Sequence, residues 1–430
     1  MTKEEILDII EEEGVEFIRL QFTDVFGRLK NMSVTPGQME RVFRNRHSFE
    51  GRAIYGGRYE CDEKLYLRPS LNSFAILPWR PQRGKVAAMT CDVCYEDGTP
   101  FEFSSRQILK NVLNKIENDG YSFIVDPQCE FFLFHTDDNG MPTTNCYESA
   151  GYLDVAPSDF GETARHDIVL MLEEMGFIIE SSHHEGSPAQ HEIDFEEADA
   201  LTTADAIQKF RFAVRSIAKG FGLHATFMPK PRNDMDGSSM HVNFTMLKDG
   251  RNIFRNADGS ASDAVYYFIG GILKHGAALT AIGNPTVNSY KHLLTGSQTP
   301  KKIVWSSKGQ HAFVKLKEYA NDVKIELRFP DGTANPYLLV AACIEAGMDG
   351  IKNRIEPGDN LTLNGDVMQT SPLLPGSLKE ALDALDADEV VQNAIGLDFA
   401  EIYKEIKYNE WQDYMNEVSA WEINRYLNKV

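Results

Sequence analysis

The chain has 430 residues, 42% of them apolar and 25% charged, which is ordinary globular usage and excludes wholesale disorder. Its formal charge of −21 at pH 7 opposes a duplex-binding surface, so nucleic acid is not an expected partner. The longest apolar stretch, Tyr337 to Ile344, is far short of the ~20 residues that span a bilayer, so no membrane is expected either.

The N-terminal MTKEEILDIIEEEG has the 3–4 spacing of an amphipathic helix and no basic, cleavable leader, which predicts a cytoplasmic protein. Residues 16–100 read mostly as short strands and turns, with VEFIRLQFTDVFG and KVAAMTCDVCYEDG alternating apolar and polar positions. The six cysteines are too sparse for a disulfide framework, and Cys91-Asp-Val-Cys94 sits in a strand-like run with no helix start. Gly98-Thr99-Pro100 marks a boundary. Ser104 or Ser105 then caps a helix whose apolar residues Ile108, Leu109, Val112, Leu113 and Ile116 share one face. Beyond it strands are expected near 122–135, 177–181, 222–229, 239–248 and 323–329. Helices are expected near 161–176, 203–221 and 333–353 and in the last 50 residues. The fold class is α+β: a β-rich domain over 1–103, then a larger domain over 104–430 on an antiparallel sheet.

The informative feature is the polar face of four strands. Gln128 and Glu130 share a face, as do Glu192 and Asp194, then His241, Asn243 and Thr245, then Lys324, Glu326 and Arg328. Any one such face is ordinarily solvated. Four together would gather Glu130, Glu192, Glu326 and His241, and such a cluster of carboxylates calls for a dication or a cationic substrate. Carboxylate oxygens with one imidazole suit Mg²⁺ or Mn²⁺ better than structural zinc. Glu185, seven residues before Glu192, reaches the same cluster from the preceding loop, whereas His183 and His184 read as structural or supporting. There is no GxxxxGK[ST] phosphate loop, so any nucleotide is held by metal and by side chains such as Lys315, Lys324 and Arg328.

Several motifs together resemble the type I glutamine synthetases: HHEGSPAQHEIDF, HATFMPKP, DGSSMHVNFT, NPTVNSYK and ANPYL. LQFTDVFGRLKN and LYLRPSLNSFAILPW are similar to that family's β-grasp domain, and the likeness runs nearly end to end. The resemblance implies an ATP-dependent ligase that phosphorylates a carboxylate and lets an amine displace the phosphate. It implies a β-grasp domain followed by a catalytic domain with a curved antiparallel sheet, and a dodecamer of two hexameric rings with active sites between subunits. By motif, Glu130, Glu185 and Glu192 hold one metal, Mg²⁺ or Mn²⁺. Gln128, His241 and Glu326 stand at a second. Glu180, Asn243 and Thr245 lie near ATP, and Arg328 faces the reacting carboxylate and phosphate.

Departures from the family pattern fall in one pocket. Glu50 replaces the ammonium-site Asp, and Gln128 replaces an anionic metal ligand. His292 replaces the Arg that clamps an α-carboxylate. Gln298 replaces the flap glutamate and cannot act as a base. Gln310, Lys315 and Lys324 stand where arginines are expected, and Asp236, before Gly237, replaces an Asn. Two main readings follow, with a phosphotransferase on the same fold, such as a guanidino kinase, as a minor third. One is a carboxylate–amine ligase, with glutamate plus ammonia as the family default and a γ-glutamyl-amine or related ligase favoured by the altered pocket. The other is a catalytically silent paralogue acting as a regulatory or sensing scaffold.

Overall fold

The computed structural model describes residues 1–79, 84–309, 311–320, 322–361 and 367–429. The first helix, α1 (Lys3–Glu12), starts at a capping box in which Thr2 accepts from the Glu5 N–H and Glu5 reaches back to the Thr2 N–H. Then come β1 (Val15–Thr23), β2 (Leu29–Val34), α2 (Met39–Phe43), β3 (Ser48–Glu50), β4 (Lys64–Pro69), β5 (Ala75–Ile76) and β6 (Lys85–Cys94). They form a sheet of order β2-β1-β6-β4-β3 with β5 beside β6; β1 and β6 run parallel and the other pairs antiparallel. Cys91 and Cys94 are buried in β6, and their thiols lie against two different carbonyls, of Met89 and Tyr66.

Next is α3 (Ser105–Glu117), whose cap position is Ser104. Its side chain makes no capping hydrogen bond, and both serines are buried. The second unit continues with β7 (Tyr121–Thr136), β8 (Pro142–Asn145), α4 (Glu162–Glu174), β9 (Ile179–His184), β10 (Gln190–Phe195), β11 (Ala198–Asp199) and α5 (Ala200–Ala218). It goes on through β12 (Leu223–Thr226), β13 (Met240–Lys248), β14 (Arg251–Asn252), α6 (Asp263–Lys274), α7 (Gly276–Gly283) and α8 (Val287–Thr295). It ends with β15 (Trp305–Ser306), β16 (Val314–Glu318), β17 (Val323–Leu327), α9 (Pro336–Asn353), α10 (Val367–Thr370), α11 (Leu378–Asp386), α12 (Glu389–Ile395), α13 (Leu397–Asn416) and α14 (Ala420–Tyr426).

Among the described residues the second sheet has the main path β15-β16-β17-β13-β7-β10-β9, antiparallel except for the β15–β16 pair. Its register aligns polar residues in rows across the strands. Glu130 lies opposite Glu192, which lies opposite His183; Gln128 lies opposite both Asp194 and His241; Asn243 lies opposite Glu326. Directly opposed residues share a face, so the four polar strand faces form one surface. The other face is apolar and packs on α3, α5 and α6, with α9 packed in turn against those three helices.

The Tyr337–Ile344 run is buried inside α9, which starts at Asn335 with Pro336 in its first turn. Among the described residues no single helix is long and apolar enough to cross a membrane; α6 and α7 together reach that length but are bent by 74°. The two units are tied by buried charge. Arg106 donates to Asp205 at 2.8 and 2.9 Å and pairs with Asp92, while the Tyr337 hydroxyl donates to Asp205 at 2.7 Å.

Candidate active site

Two adjoining cavities, of about 440 and 970 Å³, open on the polar face and share Glu130, Glu185, Gly186, His241, Gln298 and Arg328 as lining. At one end His183, Glu185 and Glu192 bring donor atoms within 4.8 Å of one another. The ring nitrogens of His183 lie 3.4 Å from Glu185 and 3.6 Å from Glu192, so this imidazole belongs to the cluster, beyond the supporting role expected of it. The adjacent Glu130 accepts from the Gln190 amide at 2.8 Å and the Ser239 N–H at 3.0 Å. Burial pushes Glu130, Glu185, Glu192 and Asp194 above the usual carboxylate range, and for Glu130 and Glu192 the neighbouring carboxylates add to the push. Convergent carboxylates that resist joint ionisation fit a hard dication, which would neutralise them.

The other end differs. Glu326 is contacted by Arg328 at 2.6 Å, Lys317 at 3.0 Å, His241 at 3.7 Å and Lys315 at 4.0 Å. Burial acts to raise this carboxyl, but the charges of His241, Lys317 and Arg328 hold it down at about 2. Burial, and then Arg328, lowers His241 to about 3. Gln128 brings no charge, so the Gln128, His241 and Glu326 set does not fit a second dication as the first set does.

In the 440 Å³ cavity His292 is buried and its Nε2 lies 3.1 Å from the Ser239 hydroxyl. Burial, with Lys230 and Lys301 nearby, lowers this imidazole to about 4, so the position is neutral at physiological pH. Gly237 is required beside it. A Cβ there would meet the Pro229 carbonyl at 2.0 Å and His292 Nδ1 at 2.3 Å. Asp236 accepts from the Ser297 hydroxyl at 2.8 Å and the Ser297 N–H at 3.2 Å, clasping the loop that carries Gln298. Gln298 is exposed and lines both cavities.

Other expected residues fall outside these walls. Glu180, at a β-bulge in β9, directs its charge toward Asp126, which burial first and Glu180 among its neighbours raise to about 6. Asn243 donates to Asp126 at 3.2 Å, and Lys324 pairs with Glu197 at 2.5 Å and Asp126 at 3.8 Å. Thr245 is buried on β13, facing Ile124 of β7. Glu180, Asn243 and Lys324 therefore gather around Asp126. Gln310 lies outside the described residues. Glu50, at the end of β3, is 74% exposed, pairs with Arg52 at 2.8 Å and lines neither cavity of its own chain.

The sequence reading missed Lys317, Gln190 and Asp126. Lys317 shares a face with Lys315 and Gln190 with Glu192, so the period of two could have found both. Their importance arises only when β16 meets β17 and β10 meets β7.

A β-rich unit beside a larger sheet whose open face gathers carboxylates, an imidazole and an arginine is the arrangement that the resemblance to the ATP-dependent acid–amine ligases implied. Residues 14–96 match the glutamine synthetase β-Grasp domain and residues 102–426 the glutamine synthetase catalytic domain. Glutamine synthetase of Clostridium saccharobutylicum is 46% identical over 100% of this chain and 99% of its own length. Those of Halobacterium salinarum and Staphylococcus aureus are each 42% identical, over 99% and 100% of this chain and 96% and 98% of their own. Structures of GmaS, without ligand and in complex with ADP, superpose with a TM-score of 0.88 at 31% identity, covering 98% of this chain and 99% of theirs. The chain belongs to the glutamine synthetase family. It is thus a ligase of nitrogen metabolism acting on small molecules, in a family that uses ATP and a divalent metal and is typically oligomeric.

Proposed function

We propose that this ligase joins a carboxylate to an amine larger than ammonia, a γ-glutamyl-amine or related ligase activity, with ATP and Mg²⁺ or Mn²⁺. The observation that carries the reading is the neutral, buried His292 at the clamp position together with the uncharged Gln298 at the cavity rim.

A fixed cation at 292 would grip an α-carboxylate by charge-assisted hydrogen bonds worth about 1.5–3 kcal/mol. A neutral imidazole gives up much of that preference for glutamate. An ionised carboxylate at 298 would favour a small ammonium ion and take its proton. An amide of the same size does neither, and its neutrality removes the preference for a small cation over a substituted amine. Glu130, Glu185, Glu192 and His183 would hold one metal, which when bound supplies electrostatic stabilisation of the transferring phosphoryl group. Arg328 and the lysines beside Glu326 offer fixed positive charge to the same phosphoryl oxygens. The γ-phosphoryl of ATP passes to the acid's carboxylate oxygen, giving ADP and an acyl phosphate. The amine nitrogen then forms the C–N bond as the C–O bond to phosphate breaks. The amine's surplus proton leaves to a base, for which Glu50 of an adjacent subunit is the available carboxylate. Asp236 and Gly237 would shape the acid's seat, and Glu180, Asn243 and Thr245 would flank the nucleotide. The silent-scaffold reading finds no support in the relatives.

The test is steady-state phosphate release with a panel of acids and amines. A substituted amine should exceed ammonia in kcat/KM. Turnover of glutamate and ammonia at the ~1–10³ s⁻¹ usual for enzymes, with no gain from any larger amine, would overturn the reading.

A further inference from the structure

Glu326 stands in the larger cavity at the end opposite the Glu185–Glu192 cluster, and its surroundings are cationic. Lys317 Nζ lies 3.0 Å from Oε2 and Arg328 2.6 Å from Oε1, and both line the cavity with Gln128 and His241. Lys315 lines it too, at 4.0 Å from Oε2. The group thus holds one carboxylate and two close full positive charges, and Gln128 adds no anion. A dication placed here would meet two cations at contact range of a single carboxylate, and the desolvation it would suffer is not matched by any further anion. The cluster formed by Glu130, Glu185 and Glu192 is the reverse: among the described residues no Lys or Arg comes within ion-pair distance of any of the three.

We propose that Lys317 takes the place of a second metal ion, so that this enzyme works with one dication per chain and an ammonium group at the other end of the site. The ammonium neutralises Glu326 and faces the cavity as a fixed positive charge for the oxygens of an anionic group such as a phosphoryl. Lys317 reaches this position because β16 pairs with β17 in the register that sets Lys315 opposite Glu326 and Lys317 opposite Lys324, all on the open face. The inference rests on the one-metal reading of the carboxylate cluster given above.

Titration calorimetry of the full-length protein with Mn²⁺ alone tests it. Wild type should bind one Mn²⁺ per chain, and Gln128→Glu alone should still bind one, because Lys317 can pair with the new carboxylate. The double variant Lys317→Met with Gln128→Glu should bind two. Two ions in wild type or in Gln128→Glu alone would overturn the inference, as would one ion in a folded double variant. If the double variant does not fold, the wild-type stoichiometry decides. No Mn²⁺ binding by wild type at millimolar metal would overturn the carboxylate-cluster reading itself, an outcome distinct from a count of two.

Discussion

At the scale of the residue, substrate choice turns on His292 and Gln298. His292 is surrounded by Gly237, Ser239 and the lysines at 230 and 301, a setting that buries it and keeps it neutral. His292→Arg should therefore raise the apparent affinity for glutamate roughly ten- to a hundredfold, the equivalent of regaining about 1.5–3 kcal/mol. Gln298→Glu should raise ammonia-dependent turnover, because it restores both a negative charge and a base at the rim. The two line one cavity, so the pair should give more than the product of the single effects. Phosphate release by the wild type and the three variants measures this, and independent, multiplicative effects would contradict it. The sequence made these substitutions visible, but not the burial and nearby lysines that settle the charge state of His292.

At the scale of the element, the site is a product of strand register, and the helices behind the sheet are joined by a titrating contact. His275, at the bend between α6 and α7, is buried, with Nδ1 2.7 Å from Asp388 and Nε2 3.0 Å from Asp349; Lys274 also pairs with Asp349, at 2.8 Å. Both ring nitrogens face carboxylates, so the imidazolium is the bonded form. Burial works against that form, but the hydrogen bonds and charges of the two aspartates prevail, and the His275 pKa is raised. A group raised in the folded state contributes stability below its unfolded value of about 6.5 and loses it as pH rises through the folded value. His275→Gln should therefore destabilise by roughly 1–3 kcal/mol near pH 6. It should cost much less near pH 9. Thermal unfolding of both proteins at the two pH values checks this, and an equal penalty at both would refute it. The N-cap of α12 at Asp388 lies 113 residues from His275, so no local pattern announced the contact.

At the scale of the whole molecule, the exposed surface points to assembly. Glu50 is exposed and lines neither of these cavities in its own chain, and the C-terminal segment leaves Met415, Val418, Trp421 and Leu427 at 57–72% exposure. Apolar bulk of this kind marks a contact surface. We expect a large ring-like homo-oligomer, a dodecamer of two hexameric rings, in which Glu50 of one protomer completes the cavity of its partner. Light scattering at micromolar concentration should give a mass many times the 48.4 kDa of the chain. Mixing inactive Glu50→Ala and inactive Arg328→Ala subunits should restore part of the activity, because a hybrid interface in one of its two orders joins an intact Glu50 to an intact Arg328. A monomeric mass, or no recovery in a mixture shown to exchange subunits, would count against shared sites.

What the sequence determined by itself was the set of chemical groups and the faces they occupy. Alternation with a period of two is a local property of an extended chain, so Gln128 with Glu130, Glu192 with Asp194, and Glu326 with Arg328 were assigned correctly to common faces before any strand was paired. The motifs around Glu185 and His241 likewise carried the family. Tertiary structure alone decided which of these groups meet. Register brought His183 into the carboxylate cluster, set Lys317 on Glu326, and committed Asn243 and Lys324 to Asp126. These are contacts between strands distant in sequence, fixed by how one apolar face packs beneath the sheet, and no run of neighbouring residues encodes them.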